Sequence, residues 1–164
     1  MTRKNRLKNK KILIVDDEPD VLETLEDLLS MCRISTARTF EDGKALLETQ
    51  EFDVAILDIM GVKGYELLDV AVRRNIPAVM LTAHALRPES IVTSYKKGAA
   101  TFIPKEEMSR ITSFLEDVLA ARSKGISTWL NWLDMLTDTY WQKKFGADWK
   151  EKDRQFWDNF PKRK

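Results

Sequence analysis

Ile12-Leu13-Ile14-Val15 is an unbroken apolar run that stops at Asp16-Asp17. Apolar residues in succession, instead of alternating, describe a strand buried on both faces. Pro19 suits a first helical turn, where its missing N–H is harmless. Val21, Leu22, Leu25, Leu28 and Leu29 follow at helical spacing. Ile34 to Ala37 predicts a weaker strand, and Glu41 to Thr49 a short helix. Val54 to Leu57 is a second buried run ending in an acid, Asp58. Gly61 and Gly64 mark a loop before a helix from Tyr65 to Arg74. Ile76 to Leu81 is a third run, ending at Thr82. Pro88 opens a helix that stops near Gly98, and Ala100 to Ile103 makes the last strand, ending at Pro104-Lys105. Met108, Ile111, Leu115, Val118 and Leu119 predict a final helix through about Arg122.

The resulting order is βαβαβαβαβα. Five strands that read as apolar runs predict an α/β fold, a doubly wound five-stranded parallel sheet with helices on both faces. The predicted organisation is a basic tail over residues 1–10, an α/β domain over 11–122 and a helical extension over 125–164. All five tryptophans (Trp129, Trp132, Trp141, Trp149, Trp157) fall in that extension, which reads as a separate module.

Composition narrows the function classes. The 164 residues are 43% hydrophobic and 32% charged, with 27 Lys+Arg against 26 Asp+Glu. That is a globular composition whose charge balance does not call for nucleic acid. One cysteine, Cys32, excludes an internal disulfide and a cysteine metal cage. No apolar run approaches the ~20 residues of a membrane span. The basic start lacks the apolar stretch of a signal peptide and reads as a frayed tail, so a cytoplasmic location is expected.

In open parallel sheets ligands bind beyond the carboxyl ends of the strands. Here those ends carry Asp16 and Asp17, Asp58, Thr82 and Lys105. Singly, such residues are common caps, turn residues or surface charges. Jointly they form a set for phosphoryl transfer. Clustered carboxylates call for a cation, and oxygen ligands with open positions suit Mg²⁺. Asp58 can then act as a carboxylate nucleophile. Mg²⁺, the Lys105 ammonium and the Thr82 hydroxyl would share the charge spread over the phosphoryl oxygens.

Residues about 11–122 resemble the receiver domain of two-component response regulators, through Ile-Leu-Ile-Val-Asp16-Asp17-Glu18, Ala-Ile-Leu-Asp58, Leu-Thr82-Ala83 and Phe102-Ile-Pro-Lys105. The resemblance implies a flavodoxin-like strand order 2-1-3-4-5, with Asp58 as phosphoacceptor. Asp17, Asp58 and the backbone carbonyl of Met60 would be direct Mg²⁺ ligands, with Asp16 acting through a water. Thr82 and Phe102 would form the switch, although Phe102 also reads as a plain core aromatic. Met60 and His84, two residues past Asp58 and Thr82, would flank the mouth of the site and tune the lifetime of the phosphate, or be ordinary rim residues. Two features depart from the family pattern. Glu106, not Pro, follows Lys105, and the loop after Asp58 lacks the usual Met-Pro pair.

The expected function is that of a phosphoacceptor taking its phosphoryl group from a histidine kinase or phosphotransfer protein. No enzymatic activity is expected beyond its own phosphorylation and dephosphorylation. The rivals are a phosphorylation-independent adaptor and an aspartate-nucleophile phosphatase. The latter class resembles Asp-x-Asp, and Met60 stands where its second acid would be. In the extension, Ile126, Trp129, Leu130, Leu133, Leu136 and Tyr140 predict one apolar helix face, widened by Trp132 and Trp141. A second helix is predicted from about Asp148 to Phe160. The apolar face would pack on its own domain, pair with a second copy or another protein through Trp129, Leu133 and Trp141, or meet a membrane, the last being the least expected. DNA binding is not expected, because the extension's 8 basic residues are offset by 6 acids.

Overall fold

The computed structural model describes residues 6–82, 88–131, 142, 143, 146, 148 and 150–160. Five strands alternate with helices: β1 (Lys11–Val15), α1 (Pro19–Leu28), β2 (Arg33–Ala37), α2 (Phe40–Thr49), β3 (Val54–Asp58), α3 (Gly64–Arg73), β4 (Ala78–Thr82), α4 (Pro88–Lys96), β5 (Thr101–Pro104) and α5 (Ile111–Lys124). The sheet is wholly parallel, in the order β2-β1-β3-β4-β5. This is the expected doubly wound arrangement. All residues of β3 and β4 are buried, as central strands covered on both faces must be. The helices cover the sheet, α1 packing with α5 and α2 with α3.

Three helices start, and one ends, for a local reason. Pro19 stands in the first turn of α1. The hydroxyl of Thr39 caps α2 by accepting from the amide of Asp42 at 3.1 Å. Lys63, at φ 53°, turns the chain into α3. Gly125, at φ 70°, closes α5.

Asp58 and Thr82 end their strands as expected, still paired in the ladder. Other boundaries differ from the pattern-based reading. β4 begins at Ala78, two residues later than the apolar run suggests. A 3-10 helix, Lys105–Arg110, separates β5 from α5, so α5 begins at Ile111 instead of Met108.

The basic start is docked from Arg6 on, contrary to the expected frayed tail. Leu7 is buried in the core, its carbonyl accepts from the Cys32 thiol at 3.3 Å, and the amide of Asn9 donates to Met31 O at 2.9 Å.

The extension also differs. Its described aromatics, Trp129, Trp157 and Phe160, join the α/β core cluster instead of building a separate module. Residues Thr128–Asn131 form a 3-10 turn where an α-helix from Ile126 was expected, and Ile126 is 48% exposed. A short helix α6 (Arg154–Asp158) lies within the second predicted helix. Leu133, Leu136, Tyr140, Trp132 and Trp141 lie outside the described residues, as does His84. Among the described residues, no helix is long and apolar enough to cross a membrane.

Candidate functional site

The carboxyl ends of β1, β3, β4 and β5 lie along one edge, where Asp16, Asp58 and Lys105 meet, with Thr82 at the end of β4. Register fixes their relation. Asp58 is aligned with Leu81 and Thr82 with Pro104, so the ends of β3, β4 and β5 are brought level. Asp16 follows β1, with its amide bonded to Ala37 O at 3.1 Å. Its Oδ1 accepts from the Glu18 amide at 2.9 Å, which holds the turn into α1.

Lys105 closes the site. Its Nζ lies 3.0 Å from Asp16 Oδ2, 3.3 Å from Asp58 Oδ1 and 3.2 Å from Glu18 Oε1. One ammonium thus bridges three carboxylates, two of them buried. Asp16 Oδ2 is paired by charge at 3.0 Å yet receives no well-directed hydrogen bond. Glu106 in place of proline does not displace this lysine. Pro104, in extended geometry (φ −65°, ψ 140°), ends β5, and Lys105 begins the 3-10 helix with its side chain only 10% exposed.

Burial dominates the electrostatics. Asp58 is pushed up to about 7, first by burial, then by the negative charge of Asp16, with Asp17 adding to it and Lys105 pulling back. Burial also raises Asp16, against the Glu18 amide and Lys105. Burial would lower Lys105, but its close pairing with Asp16 and the charge of Asp58 outweigh it, and its pKa rises.

The site has the donor chemistry for a hard divalent cation. Carboxylate oxygens of Asp16, Asp17 and Glu18 lie within 4.8 Å of one another. Asp17 and Glu18 are open to water, and the donors are all oxygen. Asp58 is tied to this group through Lys105. Thr82 is buried at the end of β4, and Phe102 is fully buried on β5, aligned with Met80. The Met60 side chain is 66% exposed at the rim.

Three residues of the site carried no assigned role in the sequence reading. Glu18 is a third partner of Lys105, signalled only by its place after Asp16-Asp17. Gly61, at φ 84°, lies against the Asp17 carboxylate; a Cβ there would stand 2.5 Å from Asp17 Oδ2. Gly64 is packed on the backbone of Asp58 and Ile59, and its amide donates to Ile59 O at 3.2 Å. Their spacing marked a loop, but not that the loop presses on the acids.

Comparison with known proteins gives a consistent result. A family model described as the response regulator receiver domain matches residues 12–116. A two-component response regulator of Arabidopsis thaliana is 33% identical over 101 residues, covering 58% of this chain and 16% of that protein. The response regulator protein PilR of Pseudomonas aeruginosa is 29% identical over 124 residues, covering 71% of this chain and 28% of that protein. The chain therefore spans less than a third of the length of these relatives. Among solved structures, a CheY-like response regulator receiver domain protein from Methanospirillum hungatei superposes with a TM-score of 0.64 at 26% identity, covering 72% of this chain and 99% of that one. The receiver domain of NtrX from Brucella abortus gives 0.60 at 29% identity, covering 66% and 98%.

Proposed function

The chain belongs to the response regulator receiver domain family, and on that premise we propose that Asp58 accepts a phosphoryl group from the phosphohistidine of a histidine kinase or phosphotransfer protein. An Asp58 carboxylate oxygen forms the new P–O bond as the P–N bond breaks, and the imidazole nitrogen leaves with the electron pair. Later attack by water on phosphorus restores the carboxylate and releases inorganic phosphate. No other substrate is turned over.

The observation that carries this reading is the Lys105 ammonium, 3.3 Å from Asp58 Oδ1 and 3.0 Å from Asp16 Oδ2. A cation at that point can follow negative charge from the free carboxylate onto a phosphoryl oxygen. The Thr82 hydroxyl, on the adjacent strand end, donates to a second oxygen. Asp16, Asp17, Asp58 and the Met60 carbonyl would hold Mg²⁺, which when bound neutralises charge on the acids and on the transferred group. Met60, exposed at the rim, and His84 are the residues assigned to setting how readily water reaches the phosphate.

The switch follows from position. Drawing Thr82 toward the phosphate opens space beside β5, where Phe102 is buried. The surface from Pro88 to Arg122 is then redistributed between two arrangements. A protein partner reads that surface in the cytoplasm, without direct DNA contact by this chain.

Incubation with Mg²⁺ and acetyl phosphate tests the acceptor role. Intact mass should rise by one phosphoryl group in the wild type and not in Asp58→Asn. An unmodified wild type, or an Asp58→Asn protein that still gains the mass, overturns the reading.

A further inference from the structure

The C-terminal aromatics enclose one residue of α4. Tyr95, in the last turn of that helix, meets Trp129 at 5.4 Å between ring centroids (71°), Phe156 at 5.3 Å (81°) and Phe160 at 5.4 Å (47°). Two polar contacts hold the enclosure, one to the backbone ahead of β5 and one to α4 itself. Trp129 Nε1 donates to Ala99 O at 2.8 Å, just ahead of β5, and Lys96 Nζ lies 5.8 Å over the Phe156 ring. Trp129 and Phe160 are buried by these contacts. Trp129 is thus not the exposed anchor for a second copy or partner that the sequence suggested.

The same helix is the next element after the site. β4 ends at Thr82 and α4 begins at Pro88, so five residues separate Thr82, on the strand next to that of Asp58, from the helix that carries Tyr95. α4 is held at its other end by Tyr65 of α3, whose hydroxyl donates to Ser90 O at 3.2 Å. Its far end is held by the extension.

We propose that the extension is an internal latch on α4, and that occupancy of Asp58 by a phosphoryl group and closure of the latch oppose each other. The inference rests on the phosphoacceptor reading of Asp58. The latch is closed with Lys105 committed to the free Asp58 carboxylate. Pulling Thr82 toward a phosphoryl group shifts the chain leading into α4, and three tightly set ring contacts around Tyr95 tolerate little displacement of that helix. Release would expose the Tyr95 face of α4 together with the aromatic segment. Linkage makes the effect reciprocal, so a weakened latch must favour the phosphoryl-bound state by the same factor.

Hydrogen exchange on the full chain, with Mg²⁺ alone and with Mg²⁺ plus beryllofluoride, tests the proposal. Covalent labelling of Asp58 by acetyl phosphate, read by intact mass, first establishes that the acceptor works; failure there counts against the acceptor reading and not the latch. With a working acceptor, amides of 126–131 and 151–160 should exchange at least about fivefold faster with beryllofluoride, and Asp58→Asn should show no change. Tyr95→Ala and, separately, Phe160→Ala should bind beryllofluoride about fivefold or more tightly than wild type, their folding verified by circular dichroism. Unchanged or slowed exchange of these amides in a phosphorylatable protein overturns the latch, as does unchanged or weakened beryllofluoride affinity in a folded variant.

Discussion

Gly61 and Asp17 are in such close contact that a methyl group on Gly61 would stand 2.5 Å from Asp17 Oδ2. The acid ahead of α1 is therefore positioned by the absence of a side chain in the loop after β3. Gly61→Ala must move the carboxylate and force alanine to φ 84°. The expected result is at least a tenfold loss of Mg²⁺ affinity with ~1–2 kcal/mol of lost stability. Titration calorimetry and denaturant unfolding in EDTA measure the two separately.

Gly64 makes the sharper contrast. A Cβ there would overlap the carbonyl oxygen of Asp58 and lie 2.8 Å from Ile59 Cα, both backbone atoms that cannot turn aside. Gly64→Ala should cost ~3 kcal/mol or more, as a backbone clash in a packed region does. Gly125→Ala has open space around it but keeps φ 70°, so its cost should stay near ~1 kcal/mol. Equal urea midpoints for the two variants would contradict this ordering.

Asp58 predicts an unusual pH dependence in EDTA. Its folded-state pKa of about 7 is above the unfolded value, so between about pH 4 and 7 the native state holds more protons than the unfolded one. Its contribution to stability therefore falls as pH rises through that window and levels off above it. The summed loss is ~2–4 kcal/mol, moderated because Asp16 is coupled to it. Asp58→Asn removes the titrating group, so the variant should gain on wild type from pH 5 to pH 8. Mg²⁺ should narrow that gap by stabilising the wild type more than the variant. A gap that is independent of pH would contradict the burial argument.

Lys105→Met leaves Asp16 and Asp58 buried without their shared cation. A loss of ~3–5 kcal/mol is expected at pH 8, and less at pH 5, where Asp58 is protonated. Glu18→Gln removes a partner that is 57% exposed, so its effect should stay within ~1 kcal/mol. Denaturant midpoints of both variants at the two pH values provide the check.

The features legible in the chain were those written as contiguous pattern. Val54 to Leu57 and Ile76 to Leu81 read as buried strands from their apolar runs, and the acid, hydroxyl and ammonium were read at the strand ends. What escaped depended on single contacts across the fold. Leu7 is one apolar residue among six basic ones, so no periodicity marked its burial. The 3-10 helix after Lys105 replaced a helix start that Met108 seemed to signal. Ile126 matched an apolar stripe but ends up half in solvent, because Gly125 turns the chain first. Gly61, Gly64 and Glu18 act through neighbours distant in three-dimensional detail, which spacing does not encode.

The lysine that completes the site stands immediately after β5, the last strand of the sheet, while the acids it bridges come from β1 and β3. As the chain emerges during synthesis, Asp58 is therefore made long before the cation that pairs with it. A nascent chain that stops short of residue 105 carries the Asp16 and Asp58 carboxylates without their shared cation, and on the proposed reading it becomes a phosphoacceptor only once β5 and Lys105 have been made.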